Sequence, residues 1–238
     1  MLLPGDPGRA LLLAQALLEA PSMFNHQRGL WGYTGTAGDG RPLTIQSTGM
    51  GGPSAAIVIS ELAELGARRL VRVGTCGALD QTLGLGDLVV VSDVLPEDGT
   101  SRALGADGPL APDPALFDAL KAAASNRARA GRVVCTDLFY DTPEGTEARW
   151  TKAGALAVEM ESATLFALAR RRGLAAASLL LVSDLVPTRT RIAAEALRAG
   201  EATLGEVAAE ALRAGEATLG EVAAKVLGDS GNTQGPFG

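Results

Sequence analysis

The sequence has 238 residues, 47% of them apolar, which is enough for one substantial hydrophobic core and too short for two comfortable domains. Its formal net charge of −6 argues against a nucleic acid as the natural partner, because a polyanion is bound by clustered, uncompensated cations. Cys76 and Cys135 lack the spacing of a zinc site or a disulfide framework, so we expect a reduced, cytoplasmic protein without a metal. No apolar run has the length of a membrane span, and no signal peptide is visible.

The first predicted element is a short apolar strand, which runs into the turn PGDPGR at residues 4–9. The exposed amides of this turn and the Arg9 guanidinium could form an anion-binding nest, although the composition also suits an ordinary turn. Residues 43–47 alternate like a strand, the segment GMGGP breaks that strand, and apolar residues then recur at helical spacing over 54–65. The pattern predicts a strand, a glycine-rich turn and a helix.

Residues 69–73 are the next predicted strand, and GTCG at 74–77 is the predicted loop at its carboxyl end. Residues 43–77 therefore form a predicted βαβ unit with a parallel pair of strands. Arg72, the Thr75 hydroxyl and the glycine amides nearby would put a phosphate-sized set of donors on one rim. The alternative for Arg72 is an arginine paired at the sheet edge.

Strands and helices continue to alternate in the second half of the chain. We predict strands at 88–91, 132–136, 155–159 and 176–182, and helices from Asp113-Pro114 to about Ser125 and from Glu161 to Arg172, the latter ended by Gly173. These elements predict an α/β fold whose ligands lie at the carboxyl ends of the strands.

Carboxylates and aromatic rings follow several of these strands. Glu159 and Glu161 have no cationic neighbour in the sequence, and carboxylates at a strand end suit the capture of sugar hydroxyls. Asp184 ends a buried strand at the same predicted edge. Phe139 and Tyr140 are candidates for stacking on a base, although core packing is the more common fate of such a pair.

From Ile192 onward the sequence predicts helix, and residues 195–209 are repeated without change as 210–224. Each copy carries two glycines, each costing about 1 kcal/mol relative to alanine in a helix interior. One repeat length turns the apolar stripe by about 60°. We therefore expect one copy to loop out, project or fray, within a domain spanning 1–228 that is followed by a disordered tail at 229–238.

Seven segments, in this order, resemble the hexameric purine nucleoside and uridine phosphorylase family: PGDPGRA, HQRGLWGYTGT, STGMGGPS, VRVGTCGA, TDLFY, VEMESA and VSD. The resemblance extends over essentially the whole chain. It implies a single α/β domain with a twisted, mixed, partly closed sheet flanked by helices. It also implies a homohexamer built as a trimer of dimers, and a reaction without a cofactor in which inorganic phosphate is the cosubstrate.

The resemblance also assigns roles to individual residues. It implies phosphate contacts by Gly5, Arg9, Arg72 and Thr75, with Arg28 given by a neighbouring subunit; ribose contacts by Met160 and Glu161; and base contacts by Cys76, Gly77, Phe139, Glu159, Ser183 and Asp184. Asp184 would serve as the acid at purine N7, assisted by Arg198, or by Arg213 if the second repeat copy docks. Family members also supply a histidine from residues before PGDP, and in this sequence that contact is absent or the true start lies upstream.

The reaction implied is phosphorolysis of purine ribonucleosides or deoxyribonucleosides to the free base and the sugar 1-phosphate. Asp184 favours purines, because uridine-type members usually have another residue there. The alternatives are a uridine or broad-specificity phosphorylase, a nucleosidase of the methylthioadenosine type, which lacks the phosphate arginines, and an inactive relative that binds nucleosides. The choice between 6-oxo and 6-amino purines stays open.

Overall fold

The computed structural model describes residues 1–140 and 142–229, with side chains described as far as residue 214. The strands are β1 (Leu2–Leu3), β2 (Leu18–Asn25), β3 (Gly32–Ala37), β4 (Pro42–Gln46), β5 (Arg69–Ala78), β6 (Leu88–Pro96), β7 (Ala128–Cys135), β8 (Ala155–Glu159), β9 (Ala175–Leu185) and β10 (Thr190–Arg191). The helices are α1 (Pro7–Leu17), α2 (Gly51–Glu64), α3 (Gly99–Ala103), α4 (Pro114–Ala124), α5 (Thr146–Lys152), α6 (Ser162–Arg172) and α7 (Ala194–Asp229). No helix in this part of the chain is long and apolar enough to cross a membrane.

The described strands form one mixed sheet in the order β10-β9-β6-β7-β8-β5-β1-β4-β3-β2. An additional pairing between β9 and β5 closes five of them, β5, β9, β6, β7 and β8, into a barrel. Helices flank this sheet, so the predicted α/β domain with a partly closed, mixed sheet is confirmed. The parallel strands β5 and β9 end together in this barrel, and β8, which runs antiparallel to β5, ends beside them because Val158 lies opposite Gly77.

The predicted βαβ unit is confirmed in its parallel direction and wrong in two details. The N-terminal strand β1 lies between β4 and β5 and is parallel to both, with Leu2 opposite Ile45 and Val71. The segment GTCG at 74–77 is not a loop, because β5 pairs with β9 along its whole length and ends only at Ala78. A strand of two residues has no detectable periodicity, so the position of β1 between β4 and β5 could not be predicted from the sequence.

The core has a layer on each side of β5 and β9. Side chains of one layer, among them Val71, Val73, Leu179 and Leu181, pack toward α1, α4 and α7. Those of the other layer, among them Leu70, Cys76, Leu180 and Val182, pack toward α2 and α6. Burial on both faces fits strands made of nearly continuous apolar residues.

Helix α7 contains both repeat copies without interruption. Of the three outcomes expected for one copy, looping out is therefore wrong, and projecting or fraying stays a prediction. Its buried side chains include Leu204, Val207, Ala208, Ala211 and Leu212, which span the junction of the copies. The glycines of the first copy are contact points, since a Cβ at Gly200 would lie 2.8 Å from Leu181 Cδ1. The predicted tail lies outside the described residues except for Asp229, which ends α7.

Gly200 and its repeat counterpart Gly215 should differ in their response to alanine. Gly200→Ala should lower the free energy of unfolding by about 1–3 kcal/mol, because Leu181 is fully buried and must move. Gly215→Ala should leave that free energy unchanged or raise it by up to about 1 kcal/mol through helix propensity. Urea denaturation of both variants measures the difference, and equal effects would contradict close packing at Gly200.

Candidate functional site

A cavity of about 850 Å³ opens at the rim of the barrel where β5, β8 and β9 end. It is lined by every predicted site residue except Arg198. Its volume is in the range of small-molecule sites in proteins. The fold therefore brings together residues that are far apart in the sequence, and the cavity can hold a ligand larger than a phosphate ion.

Arg72 lies on β5 and is 5% exposed. Its Nε donates to Glu159 Oε2 at 2.9 Å, and its Nη2 lies 2.6 Å from Glu161 Oε2. The guanidinium lies over Gly74, where a Cβ would be 2.5 Å from Nη2, so this position requires glycine. Glu159 and Glu161 have no cationic neighbour in the sequence, and their partner Arg72 comes from another strand.

The two carboxylates of this cluster have different surroundings. Glu159 accepts hydrogen bonds from the amides of Glu161 and Ser162, each at 3.0 Å, at the N-terminus of α6. Glu161 accepts a short hydrogen bond from the amide of Gly51. Burial raises the pKa of the Glu161 carboxyl, and the Glu159 carboxylate adds to this, whereas Arg72 opposes it. Burial by itself would lower the pKa of Arg72, but the Glu161 and Glu159 charges outweigh burial and raise it.

Arg9 reaches the same cavity from the first turn of α1. Asp6 caps this helix by accepting the Arg9 amide at 2.8 Å, and Pro7 fills the first helical turn, so PGDPGR is both a turn and a helix start. The Arg9 Nε donates to Glu201 Oε1 on α7 at 2.8 Å, and Nη1 donates to the Val73 carbonyl at 3.2 Å. Both predicted phosphate arginines are thus held in place by acceptors of the protein.

Each of these arginines keeps one terminal nitrogen uncommitted. Arg72 Nη1 is buried and has no hydrogen-bond partner among the described residues. This nitrogen lies near Gly5, since a Cβ at Gly5 would be 4.0 Å from Arg72 Nη1. Arg9 Nη2 likewise has no acceptor in the described part of the chain. With Thr75 on the same wall, this side of the cavity offers donors for an anion.

Another part of the cavity lining carries Asp184 at the end of β9, opposite Gly77 of the neighbouring strand β5. Its Oδ1 accepts the Ser183 hydroxyl at 2.9 Å, and its Oδ2 lies where a Cβ at Gly77 would be only 2.7 Å away, so Gly77 leaves room for the carboxyl. Burial raises the pKa of the neighbouring Cys76 thiol, which therefore stays protonated. This part of the lining therefore places the Asp184 carboxyl, the Ser183 hydroxyl and the main chain at Gly77 beside the cavity.

Aromatic side chains stand at the mouth of the cavity. Phe139 is 54% exposed and packs edge-on against Tyr140, with ring centroids 4.8 Å apart. The Arg191 guanidinium lies 5.9 Å from the Phe139 centroid, and Arg191 is the cross-strand partner of Asp184. Exposure at a cavity mouth fits base stacking better than core packing. Sequence reasoning missed Arg191, because only the β9–β10 pairing places it beside Asp184.

The remaining predicted cations differ in position. Arg28 lines the cavity mouth, is exposed and has a positive φ of 54°. Arg198 is exposed on α7 and does not line the cavity, so its assistance to Asp184 stays a prediction. Arg213 lies 3.8 Å from Asp39, away from this site. Met160 lines the cavity beside Glu161, as expected for a ribose contact.

Comparison with known proteins shows the family. A family model described as the phosphorylase superfamily matches residues 1–224. The chain belongs to the phosphorylase superfamily. The matched range includes the residues that line the cavity as well as Glu201 of α7.

Relatives within the superfamily are similar over most of their length. The chain is 36% identical over 195 residues to the purine nucleoside phosphorylase DeoD-type of Clostridium novyi (strain NT), covering 79% of this chain and 83% of that protein. It is 39% identical over 192 residues to the protein of the same description from Clostridium perfringens (strain SM101 / Type A), covering 77% and 80%. It is 38% identical over 185 residues to the guanosine phosphorylase of Halorubrum lacusprofundi, covering 76% of each chain.

Proposed function

We propose that the protein is an enzyme that cleaves purine nucleosides by phosphorolysis, yielding the free base and the sugar 1-phosphate. The observation that carries this proposal is the pair of buried arginines, Arg9 and Arg72, each with one uncommitted terminal nitrogen on the same cavity wall. Asp184 and the exposed Phe139 line the same cavity. The names of the relatives, purine nucleoside and guanosine phosphorylases, support the purine assignment.

The proposed mechanism assigns the residues that line the cavity to the phosphate, the ribose and the base. Phosphate sits against Arg9, Arg72, Gly5 and Thr75, so that an anion lies next to the positive charge that develops at the sugar C1′ as the base departs. Glu161 accepts a hydrogen bond from a ribose hydroxyl, and Met160 packs beside the sugar. Together they orient the sugar for in-line attack. The phosphate oxygen forms the new bond to C1′ while the glycosidic bond breaks.

Asp184 acts on the leaving base. A purine departs poorly unless its N7 accepts a proton or a strong hydrogen bond, and the Asp184 carboxyl can donate one when protonated. Ser183, Gly77 and Cys76 shape the space for the ring, and Phe139 stacks on it. Glu159 acts on the base site indirectly, by holding Arg72 and the main chain at Glu161. Its carboxylate accepts hydrogen bonds from Arg72 and from two main-chain amides.

The test is a panel of nucleosides assayed with and without inorganic phosphate. Inosine, guanosine or adenosine should be cleaved only when phosphate is present, with kcat/KM values above that of uridine. Cleavage at equal rates without phosphate would favour the nucleosidase alternative. A preference for uridine would favour a uridine phosphorylase, and the absence of any turnover would favour a binding protein.

We propose further that the protein is a cytoplasmic homohexamer in which Arg28 completes the phosphate site of a neighbouring subunit. Its exposed position at the cavity mouth supports this role. Mixed under subunit exchange, inactive Arg28→Ala and inactive Glu161→Ala subunits should regain part of the wild-type activity. Exchange without any recovery would show that each site uses its own Arg28.

A further inference from the structure

Glu201 is a buried carboxylate that the proposed mechanism leaves without a role. It lies on α7, is 8% exposed, and accepts the Nε hydrogen of Arg9 at 2.8 Å. Arg9 is 192 positions earlier in the chain. A buried carboxylate is costly to desolvate unless a cation and hydrogen bonds compensate it, so this contact calls for a function as well as a partner.

The contact with Glu201 fixes how Arg9 presents its remaining donor. Asp6 holds the main chain of Arg9 at the start of α1, Glu201 holds Nε, and the Val73 carbonyl holds Nη1 at 3.2 Å. Because the guanidinium is planar, contacts at Nε and Nη1 also fix the position of Nη2, and Arg9 lines the cavity. An arginine whose rotamer is already fixed binds an anion without losing that freedom on binding.

We propose that Glu201 is a positioning residue for phosphate, acting through Arg9, and that the docking of α7 is thereby part of the phosphate site. This inference rests on the proposed role of Arg9 in phosphate binding. It predicts that loss of the Glu201 carboxylate weakens phosphate binding while the nucleoside side of the cavity, built around Asp184 and Phe139, is unaffected.

The inference also assigns the working copy of the duplicated helix. Glu201 belongs to the first copy, and its counterpart in the second copy is Glu216. One repeat length moves a residue about 22 Å along the helix axis and about 60° around it, so Glu216 cannot replace Glu201 at Arg9. Gly200, directly before Glu201, lets α7 approach Leu181 of β9 closely, which brings the carboxylate within reach.

The test compares Glu201→Gln with Glu216→Gln, the same substitution in the same local sequence. Glu201→Gln should raise the KM for inorganic phosphate about tenfold or more, the scale expected when a binding group is slightly misplaced, with little change in the KM for inosine. Glu216→Gln should leave both constants at their wild-type values. Titration calorimetry with inorganic phosphate alone, with sulfate as a second anion, should show the same loss of affinity.

A double-variant cycle separates positioning from a general structural effect. In an Arg9→Gln background, Glu201→Gln should add no further increase in the phosphate KM, since Glu201 acts through Arg9. A further increase, or an equal rise in both KM values, would overturn the inference. If Glu201→Gln does not fold, Glu201→Asp keeps the charge but shortens its reach, and an unchanged phosphate KM in that variant would equally overturn it.

The outcomes also distinguish this inference from the proposed function. A wild-type enzyme that needs no phosphate contradicts phosphorolysis itself. A wild-type enzyme that needs phosphate, together with identical phosphate KM values for Glu201→Gln and Glu216→Gln, contradicts only the role of Glu201.

Discussion

Replacing Asp184 with Asn should lower the kcat/KM for inosine or adenosine phosphorolysis by roughly 10²- to 10⁴-fold, the range typical of a lost general acid. The carboxamide keeps the size of the side chain and its contact with Ser183, but it cannot supply a proton to purine N7. The phosphate KM should barely change, because the phosphate donors Arg9 and Arg72 are held by other groups, namely Glu201, the Val73 carbonyl, Glu159 and Glu161. Steady-state kinetics with phosphate and nucleoside varied separately measures both effects.

Asp93→Asn is the matched control for this variant. Asp93 lies on β6 in an ion pair with Arg132, outside the cavity, so its replacement should leave both KM values and kcat unchanged. Full purine activity in Asp184→Asn would contradict the role of Asp184 as the acid. A wild-type enzyme that cleaves uridine faster than any purine nucleoside would contradict the purine assignment itself.

Replacing Arg72 with Met should both abolish activity and lower the free energy of unfolding by about 3–5 kcal/mol, the cost of breaking a buried ion pair from one side. Glu159 and Glu161 would be left as two buried carboxylates without their counter-charge, since both now contact the same guanidinium. Urea denaturation of the protein without phosphate measures the loss.

Arg129→Met is the control for the stability effect. Arg129 is an exposed strand residue whose nearest acid, Asp80, lies 3.9 Å away, and exposed pairs of this kind contribute about 0–1 kcal/mol. A similar loss of stability in both variants would mean that the Arg72 cluster contributes no more than a surface pair. Retained activity in Arg72→Met would remove Arg72 from the phosphate site.

The sequence predicted best those elements whose ends carry their own signals. Helix α4 begins at Pro114, directly after its N-cap Asp113. Helix α6 ends at Arg172, before Gly173, which adopts a positive φ of 64°, so local chemistry sets both boundaries. Strands β2 and β3 were not predicted. They form an antiparallel pair with register shifts, and most β2 side chains are exposed, so no alternation of apolar and polar residues marks them.

The sequence predicted which residues line the site, but it did not predict the contacts that these residues make with one another. Residues at the carboxyl ends of β5, β8 and β9 were expected to meet, and they line one cavity. The ion pairs of Arg72 with Glu159 and Glu161 join different strands, so no inspection of sequence neighbours could find them. Glu201 was not predicted for the same reason, because its partner Arg9 lies 192 positions earlier in the chain.

The origin of the new bond at C1′ tests the central claim most directly. Inosine is incubated with the enzyme and inorganic phosphate in H₂¹⁸O, and the sugar product is analysed by mass spectrometry. Phosphorolysis predicts ribose 1-phosphate without ¹⁸O at C1′, because the attacking oxygen comes from phosphate held by Arg9 and Arg72. Free ribose that carries ¹⁸O, formed at the same rate with or without phosphate, would contradict it.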